Sequence, residues 1–283
     1  MTDWDGQGLP PVAAERARRA AAGSAWTSLL TVPATVGLEA VGIDPVGEVM
    51  GSMVQRISLT GYEGCGAYPT YGMGASASRV SVGGFVAYRN ALRGGYAKAM
   101  KRMLLEASAI GADGVVGVRL TTTRMQGNAR EFTALGTGVR ARSRTRPRWV
   151  FSTGLSGQDV SKLLAAGWVP VELVFGISVL VRHDGLATRQ QTSWGAGNVE
   201  VDGYTRLITS TRAEARERFG RRVRDSGADG AIVSSTDLRA WSVEPSEGHR
   251  DHVAEASVFG TAVARFRRST TAPTRTLTFL PLK

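Results

Sequence analysis

The chain has 283 residues, of which 42% are hydrophobic, and carries a formal net charge of +11 at pH 7. This length allows one large domain or two ordinary ones, and the apolar content is enough for packed cores. A membrane-spanning helix needs about 18 or more consecutive apolar residues, and the sequence contains no such run. The only cysteine, Cys65, excludes an intrachain disulfide framework and is typical of a reducing compartment.

The first residues, Met1-Thr2-Asp3-Trp4-Asp5, are acidic and lack the basic and apolar regions of a secretory signal. We therefore expect a cytoplasmic protein with no membrane partner. The positive charge is typical of nucleic-acid binding, but a second explanation is simpler. Arginine far outnumbers lysine, and GC-rich genomes favour arginine codons. Nucleic acid therefore stays an alternative partner that the charge does not by itself favour.

The N-terminal extension, residues 1–23, is rich in proline, alanine and arginine. A short helix is predicted from Val12 to Ala22, since Pro10 and Pro11 favour a helix start and Gly23 a helix stop. A weak helix through Leu38 follows.

The first unit continues with a turn at Gly42-Ile43-Asp44-Pro45 and a strand from Val46 to Ile57. A glycine-rich segment, Gly61–Gly74, precedes a long amphipathic helix. The apolar stripe of this helix has members at steps of three and four residues, with charges opposite: Leu92, Tyr96, Met100, Met103, Ala107 and Ile110. Two strands are predicted after the helix, Val115–Thr121 and Phe132–Ala141.

A basic linker joins this unit to the next, with arginines at alternate positions: Arg140, Arg142, Arg144, Arg146 and Arg148. Residues two apart share a face of an extended chain, so the five could form one basic ribbon for phosphate contacts. The favoured interpretation is an interdomain linker with solvated or paired charges, because Trp149 is the only adjacent aromatic residue for stacking on bases.

The second unit opens with a helix from Gln158 to Ala166 that Ser156 can cap, followed by a strand from Val169 to Arg182. Its long helix has an apolar stripe with similar spacing: Tyr204, Ile208, Thr211, Ala215, Phe219 and Val223. Two strands are predicted next, Ala231–Ser235 and Ala254–Phe266, separated by a hairpin with a long loop, Glu244–Asp251. The tail contains Leu277-Thr278-Phe279-Leu280, a segment suited to docking as an added strand.

The two units are copies of one another, with a period of about 120 residues that is too long for a solenoid repeat. Residues 27–52 align with residues 152–177 without a gap, and Gly111-Ala112-Asp113-Gly114 aligns with Gly227-Ala228-Asp229-Gly230. We predict an α+β fold in which each copy is a mostly antiparallel sheet packed with one long and one short helix. The predicted divisions are 1–23, 24–148, 149–267 and 268–283.

Three features in combination resemble the YbjQ-like family, which carries a heavy-metal-binding label. They are Thr27-Ser28-x-Leu30, then Gly42-x-x-Pro45-Val46 ahead of a strand, and a long helix ending at Gly111 to Arg119. The resemblance covers about residues 27–141 and 152–266, as a tandem repeat. It implies a homo-oligomer built of pentameric rings, and it supplies no reaction, cofactor or catalytic residue.

The sequence gives little support for a metal site or a catalytic site. Clusters of Cys and His are needed for soft metals, and the only close pair, His249 and His252, is predicted to lie in the flexible hairpin loop. We therefore expect no metal centre, with these two histidines as weak candidates. Cys65 has no histidine nearby in sequence, and Asp113 and Asp229 are typical turn residues. The sequence predicts no enzyme and no cofactor.

Small residues within predicted strands are candidates for an assembly interface, because glycine there allows backbones to approach closely: Gly136, Gly138, Gly260 and Ala262. We predict a self-assembling structural protein whose pentamer-based rings close into a hollow cage, since heterologous contacts about intersecting axes can close into a shell. Its partners would be copies of itself and a cargo protein, with residues 1–23 and 268–283 locking neighbours or attaching cargo.

Two alternatives come from other functional classes. One is a small-ligand or metal-binding module that uses the His249–His252 loop or the Gly61–Gly74 segment. The other is nucleic-acid binding through the basic ribbon.

Overall fold

The structure is a computed structural model that describes residue 4 and residues 6–22, 27–57, 85–246 and 249–266. Six helices are present among these residues: α1 Pro11–Ala21, α2 Val32–Ala40, α3 Val86–Ala109, α4 Gly157–Ala165, α5 Leu186–Gln191 and α6 Asp202–Asp225. The strands are β1 Ile43–Arg56, β2 Gly114–Arg124, β3 Ala129–Ala141, β4 Phe151–Ser152, β5 Trp168–His183, β6 Gly230–Ser246 and β7 His249–Arg265. The predicted α+β class is confirmed. The Gly61–Gly74 segment, Cys65 and the tail at 268–283 lie outside the described residues.

The strands form two sheets with the same internal order. The first sheet has the order β1-β3-β2-β4 and the second has the order β5-β7-β6. All pairings are antiparallel except that of β2 with β4. The duplication in the sequence is therefore a duplication of topology, in which β1, β2 and β3 correspond to β5, β6 and β7.

Each sheet packs against its long helix at a matched glycine. A Cβ added at Gly51 of β1 would overlap the backbone of α3 at Ala99 and Met103. A Cβ added at Gly176 of β5 would overlap the backbone of α6 at Ala215 and Phe219 in the same way. Glycine at these two positions lets a helix lie directly on a strand.

Both long helices end at the predicted Gly-Ala-Asp-Gly sequence. Gly111 and Gly227 have φ of 72° and 69°, a left-handed conformation that glycine adopts at no steric cost. The following aspartates then tie the turn to the end of β3 and of β7. Asp113 accepts a hydrogen bond from the amide of Ala141 at 2.9 Å, and Asp229 accepts one from the amide of Arg265 at 2.8 Å.

The largest hydrophobic core is shared by the two copies. The predicted stripe of α3 is buried, and its Tyr96 ring lies 5.1 Å from that of Phe132 in the first sheet. The same ring lies 5.7 Å from that of Phe175 and 5.5 Å from that of Phe259 in the second sheet. Burial raises the pKa of Tyr96 to about 12. The division of the chain at residues 148 and 149 stays a prediction, while the two sheets share one core.

Two local expectations for the second copy were wrong. The predicted Glu244–Asp251 loop was wrong, because Glu244–Ser246 belong to β6 and His249–Asp251 belong to β7. Helix α5 was not predicted, because six residues are too few to show helical periodicity. The cap at Ser156 is present, with its Oγ accepting a hydrogen bond from the amide of Asp159 at 3.2 Å.

Candidate assembly surface

A short segment after the basic linker joins the two copies. We call residues 151–155 the junction segment. Phe151 and Ser152 pair in parallel with Gly114 and Val115 at the outer edge of β2. The pairing continues beyond the strand, since the amide of Thr153 donates to the carbonyl of Val115 at 2.9 Å. The edge of β2 is thus covered by the start of the second copy.

Two further hydrogen bonds extend this cover. The amide of Val118 donates to the carbonyl of Thr153, and the amide of Gly117 donates to the carbonyl of Leu155, each at 2.9 Å. The ring of Phe151 fills the space above Gly114, where an added Cβ would overlap it. Val116 is consequently fully buried, within a cluster that includes Leu38 and Val160.

The equivalent strand of the second copy, β6, has no partner at its outer edge among the residues that the structure describes. Strand β6 lies at the border of its sheet. Ile232, which corresponds to the buried Val116, is 38% exposed, and the adjacent Val233 is 52% exposed. An unpaired strand edge with exposed apolar side chains is a ready site for pairing with another chain. This edge is the strongest candidate assembly surface among the described residues.

The predicted interface glycines have an explanation within one chain. A Cβ at Gly136 would lie 2.6 Å from Cγ1 of Val115, and one at Gly260 would lie 2.5 Å from the carbonyl oxygen of Ile232. Gly138 packs under Ile110 and Ala112, and Ala262 is fully buried. The close approach predicted for these positions occurs between neighbouring elements of the same chain. A role for them between subunits stays a prediction.

Comparisons with known proteins show which family the chain resembles. Residues 45–142 match the family described as "Putative heavy-metal-binding". An encapsulin nanocompartment protein of Mycobacterium tuberculosis is 32% identical over 267 residues, which cover 91% of this chain and 92% of the relative. The chain belongs to the YbjQ-like family.

Shorter relatives match parts of the YbjQ-like chain. A UPF0145 protein of Archaeoglobus fulgidus is 46% identical over 55 residues, which cover 19% of this chain and 51% of the relative. A UPF0145 protein of Halorubrum lacusprofundi is 49% identical over 45 residues, which cover 16% of this chain and 43% of the relative.

The heavy-metal label of the family can be compared with the described residues. In the described part of the chain, no group of three or more His, Cys, Asp or Glu side chains is arranged to hold a metal ion. Of the two weak candidates, His252 does not lie in a flexible loop as expected but in β7, and the side chain of His249 is outside the described residues.

His252 belongs to a polar cluster that the sequence did not reveal. Its Nε2 lies 2.8 Å from Oδ2 of Asp184 and 2.8 Å from the hydroxyl of Tyr204, while Nδ1 of His183 lies 2.7 Å from Oδ1 of Asp251. Burial raises the pKa of Asp251 although His252 lowers it, and burial also raises the pKa of Tyr204. These contacts fasten the ends of β5 and β7 to α6. The cluster forms only through strand register, in which His183 lies opposite Asp251.

The five arginines of the linker do not form the extended ribbon. The strand ends at Ala141, and the chain bends over residues 142–145. Arg140 donates to the carbonyl of Gly111 at 2.7 Å and Arg146 to the carboxylate of Asp113 at 2.5 Å, so both point back to the end of α3.

Two other linker arginines also have partners within the chain. Arg142 forms an ion pair with Asp44, and hydrogen bonding from Arg142 lowers the pKa of that carboxyl group. Arg148 lies over the ring of Trp149 at 5.3 Å. The favoured interpretation of a paired linker fits these contacts, with partners in the same chain rather than in a neighbour. The shared basic face that nucleic-acid binding required is absent from these described residues.

No helix among the described residues has both the length and the apolar character needed to cross a membrane.

Proposed function

We propose that this chain is a non-enzymatic structural subunit that assembles with copies of itself into rings, and that these rings close into a hollow compartment shell. The observation that carries the proposal is the open, apolar edge of β6, whose equivalent in the first copy is covered by the next unit. The relative named as an encapsulin nanocompartment protein supports it, because the similarity extends over 91% of this chain.

Covering the β6 edge would bury exposed apolar side chains and satisfy the backbone groups along the strand. Burial of apolar surface stabilises by about 25 cal/mol per Å². In this proposal the β6 edge meets a different surface on its neighbour, as the edge of β2 meets the start of the second copy within the chain. Such heterologous contacts generate closed rings or open filaments, and a compartment requires the closed form.

Three finer elements belong to the same proposal. Pentamer-based rings follow from the family resemblance. A cargo protein enclosed by the shell follows from the compartment named for the relative. A cytoplasmic site of assembly follows from the composition, which includes a single cysteine.

The proposal is tested by negative-stain electron microscopy and mass photometry of the purified protein. We expect closed hollow particles whose mass is a multiple of the 30.0 kDa chain. Monomers at micromolar concentration would overturn the proposal. Open filaments would retain self-assembly and overturn the compartment.

A further inference from the structure

The residues ahead of α2 are anchored in the same way as the junction segment. We call residues 27–30 the arm segment. In the second copy, Oγ1 of Thr153 lies 2.9 Å from Oγ1 of Thr261, which also accepts a hydrogen bond from the amide of Gly154 at 3.2 Å. The amide of Leu155 donates to Oγ1 of Thr153 at 3.0 Å. One side of the junction segment is thereby fixed to its own copy.

The arm segment reproduces this pattern at the aligned positions of the first copy. The amide of Leu29 donates to Oγ1 of Thr137 at 3.0 Å, and the amide of Leu30 donates to Oγ of Ser28 at 3.0 Å. Oγ of Ser28 lies 3.5 Å from Oγ1 of Thr137. The arm segment is therefore held in the conformation that, in the junction segment, pairs with a strand edge.

The two segments differ on their other side. The junction segment pairs with β2, whereas the arm segment forms no backbone pairing with a strand within the part of the chain that the structure describes. The outer edge of β6, the equivalent of β2, is also unpaired in this described part. Within the described residues, each chain therefore has one segment and one strand edge that lack a backbone pairing partner. The internal junction shows how such a segment pairs with such an edge.

A helix face beside the arm segment is open in the matching way. At the internal junction, α4 packs on α2 through Gly157, Val160 and Ser161, and both Gly157 and Val160 are buried. The positions of α2 that align with Gly157 and Ser161 are Val32 and Val36, which are 77% and 58% exposed. Two valines on one face of a short helix, both mostly in water, mark a surface that a neighbour can cover.

The space above the first residue of β6 is also open. A Cβ at Gly114 would overlap the ring of Phe151, whereas a Cβ at the aligned Gly230 meets nothing within 4 Å. In the sequence, the residue that aligns with Phe151 is also aromatic, Trp26.

We propose that the arm segment docks on the outer edge of β6 in a second copy of this chain, and that the Val32–Val36 face of α2 packs on α4 of that copy. The contact repeats between chains the junction that joins the two copies within one chain. The inference rests on the proposed function, because it names the contact through which the rings form. Each chain gives one segment and receives one, so the contact is head-to-tail and every chain adds two copies to the ring.

A disulfide across the contact tests it directly. The internal pairing of Val115 with Ser152 corresponds to Ala231 of one chain and Thr27 of the next. Paired strands are about 4.8 Å apart, within the Cα separation that a disulfide accepts. In a Cys65→Ser background, oxidation of a Thr27→Cys/Ala231→Cys variant gives a ladder of covalent oligomers on a non-reducing gel. The highest member counts the chains in a closed ring.

Matched variants control this experiment. Thr27→Cys alone and Ala231→Cys alone give no ladder, because each side of the contact meets a different residue. Thr27→Cys/Asp237→Cys gives none either, since Asp237 lies six residues farther along β6, about 20 Å away at the rise of a strand. A Val115→Cys/Ser152→Cys variant, read by loss of free thiols, calibrates whether this register closes a disulfide.

A second measurement is independent of disulfide geometry. Val36→Asp places a charge on the α2 face, and Ile232→Asp places one on the β6 edge, so each reduces the assembled fraction at least tenfold by mass photometry. Val199→Asp is the matched control, because Val199 is 50% exposed and belongs to neither surface. Its particles remain as in the unaltered protein.

The outcomes separate the contact from the proposed function. Particles that form without the ladder and withstand both aspartates overturn the contact and leave the shell intact. An unaltered protein that stays monomeric overturns the proposed function together with the contact. A ladder together with loss of particles in both aspartate variants establishes the contact.

Discussion

Strands β2 and β6 hold equivalent places in the two copies, yet among the described residues the outer edge of β2 is covered and that of β6 is open. Val116 on β2 is fully buried under the junction segment, while Ile232 at the same position of β6 is 38% exposed. Both positions are β-branched and apolar, so the difference arises from what lies beside the strand. The first copy is covered by the start of the second copy, and we propose that another chain covers the second copy in the same way. The buried junction between the two copies therefore serves as the model for the proposed contact between two chains.

The largest expected effect is the loss of stability when a charge is placed on the covered strand β2. The same change on the edge strand β6 provides the comparison. Val116→Asp buries an unpaired carboxylate and lowers the free energy of unfolding by about 4 kcal/mol or more. Ile232→Asp leaves the carboxylate of the isolated chain in water, so its far-ultraviolet circular dichroism is unchanged while its assembled mass falls. Equal loss of folded protein in the two variants would contradict the comparison.

Gly51 and Gly176 test a feature that the two copies share, the packing of the long helix directly on a strand. Gly51→Ala and Gly176→Ala each force a methyl group into the backbone of the packed helix. We expect each to lower the free energy of unfolding by about 2–3 kcal/mol, measured by urea denaturation. Gly94→Ala is the control, because a Cβ there meets nothing within 4 Å and alanine favours a helix. Comparable losses in the control would remove the packing explanation.

The glycines that begin β2 and β6 sharpen the difference between the copies. Gly114→Ala displaces the ring of Phe151 and costs about 1–2 kcal/mol in urea denaturation. Gly230→Ala enters open space and changes the free energy of unfolding by less than about 0.5 kcal/mol. If Gly230→Ala were the more damaging change to the isolated chain, the β6 edge would already be covered within that chain.

An ion pair stabilises the first copy alone. Arg16 of α1 donates two hydrogen bonds of 2.8 Å to the carboxylate of Glu106, which is buried in α3 and also accepts one from the amide of Met50. The position of α6 that aligns with Glu106 is Arg222, so the second copy has no carboxylate there to form this ion pair.

Arg16→Ala should lower the free energy of unfolding by about 1–2 kcal/mol, discounted because Arg16 is half-exposed. Thermal unfolding measures it, with Arg18→Ala as the control. Arg18 pairs with Glu15 in water, so a loss there as large as that for Arg16 would count against the buried pair.

The smallest expected effect is on the pH dependence of stability, through Glu214 of the second copy. Burial alone would raise the pKa of Glu214, but hydrogen bonds from Ser178 and Arg218 and the charge of Arg218 lower it below the ordinary value of 4.5. The carboxylate therefore contributes stability above pH 4.5 that is lost as the pH falls through its folded pKa. Glu214→Gln removes about 0.5 kcal/mol at pH 7 and makes the melting temperature less sensitive to acid between pH 5 and pH 3. An unchanged acid response would contradict this assignment.

Much of the fold could be predicted from the sequence because its signals are local. The stripe of α3, the left-handed Gly111 and Gly227 and the cap at Ser156 each depend on residues close together in the chain. The predicted stripe of α6 was right at Thr211, Ala215 and Phe219 only. Gly203 and Leu207 are buried there, whereas Tyr204, Ile208 and Val223 stay partly exposed, because the contact with β5 sets which face is covered. The duplication then supplied the equivalence of the two sheets.

The assembly surface could not be predicted in the same way. The junction segment meets β2 about 40 residues away in sequence, and no local pattern shows which edge it covers. The cluster of Asp184, Tyr204 and His252 depends on strand register and on the placing of α6. One signal was present in the sequence, the alignment of Ser28 and Thr137 with Thr153 and Thr261, and it becomes informative only when the hydrogen bonds are seen.

The most direct test of the account is a cryo-electron microscopy map of the purified assembly at a resolution that traces the backbone. It should show residues 27–30 of one chain lying parallel to the outer edge of β6 in the next chain, with Val32 and Val36 buried against α4 of that chain. A particle in which the β6 edge faces water, or meets a different part of its neighbour, would contradict the account.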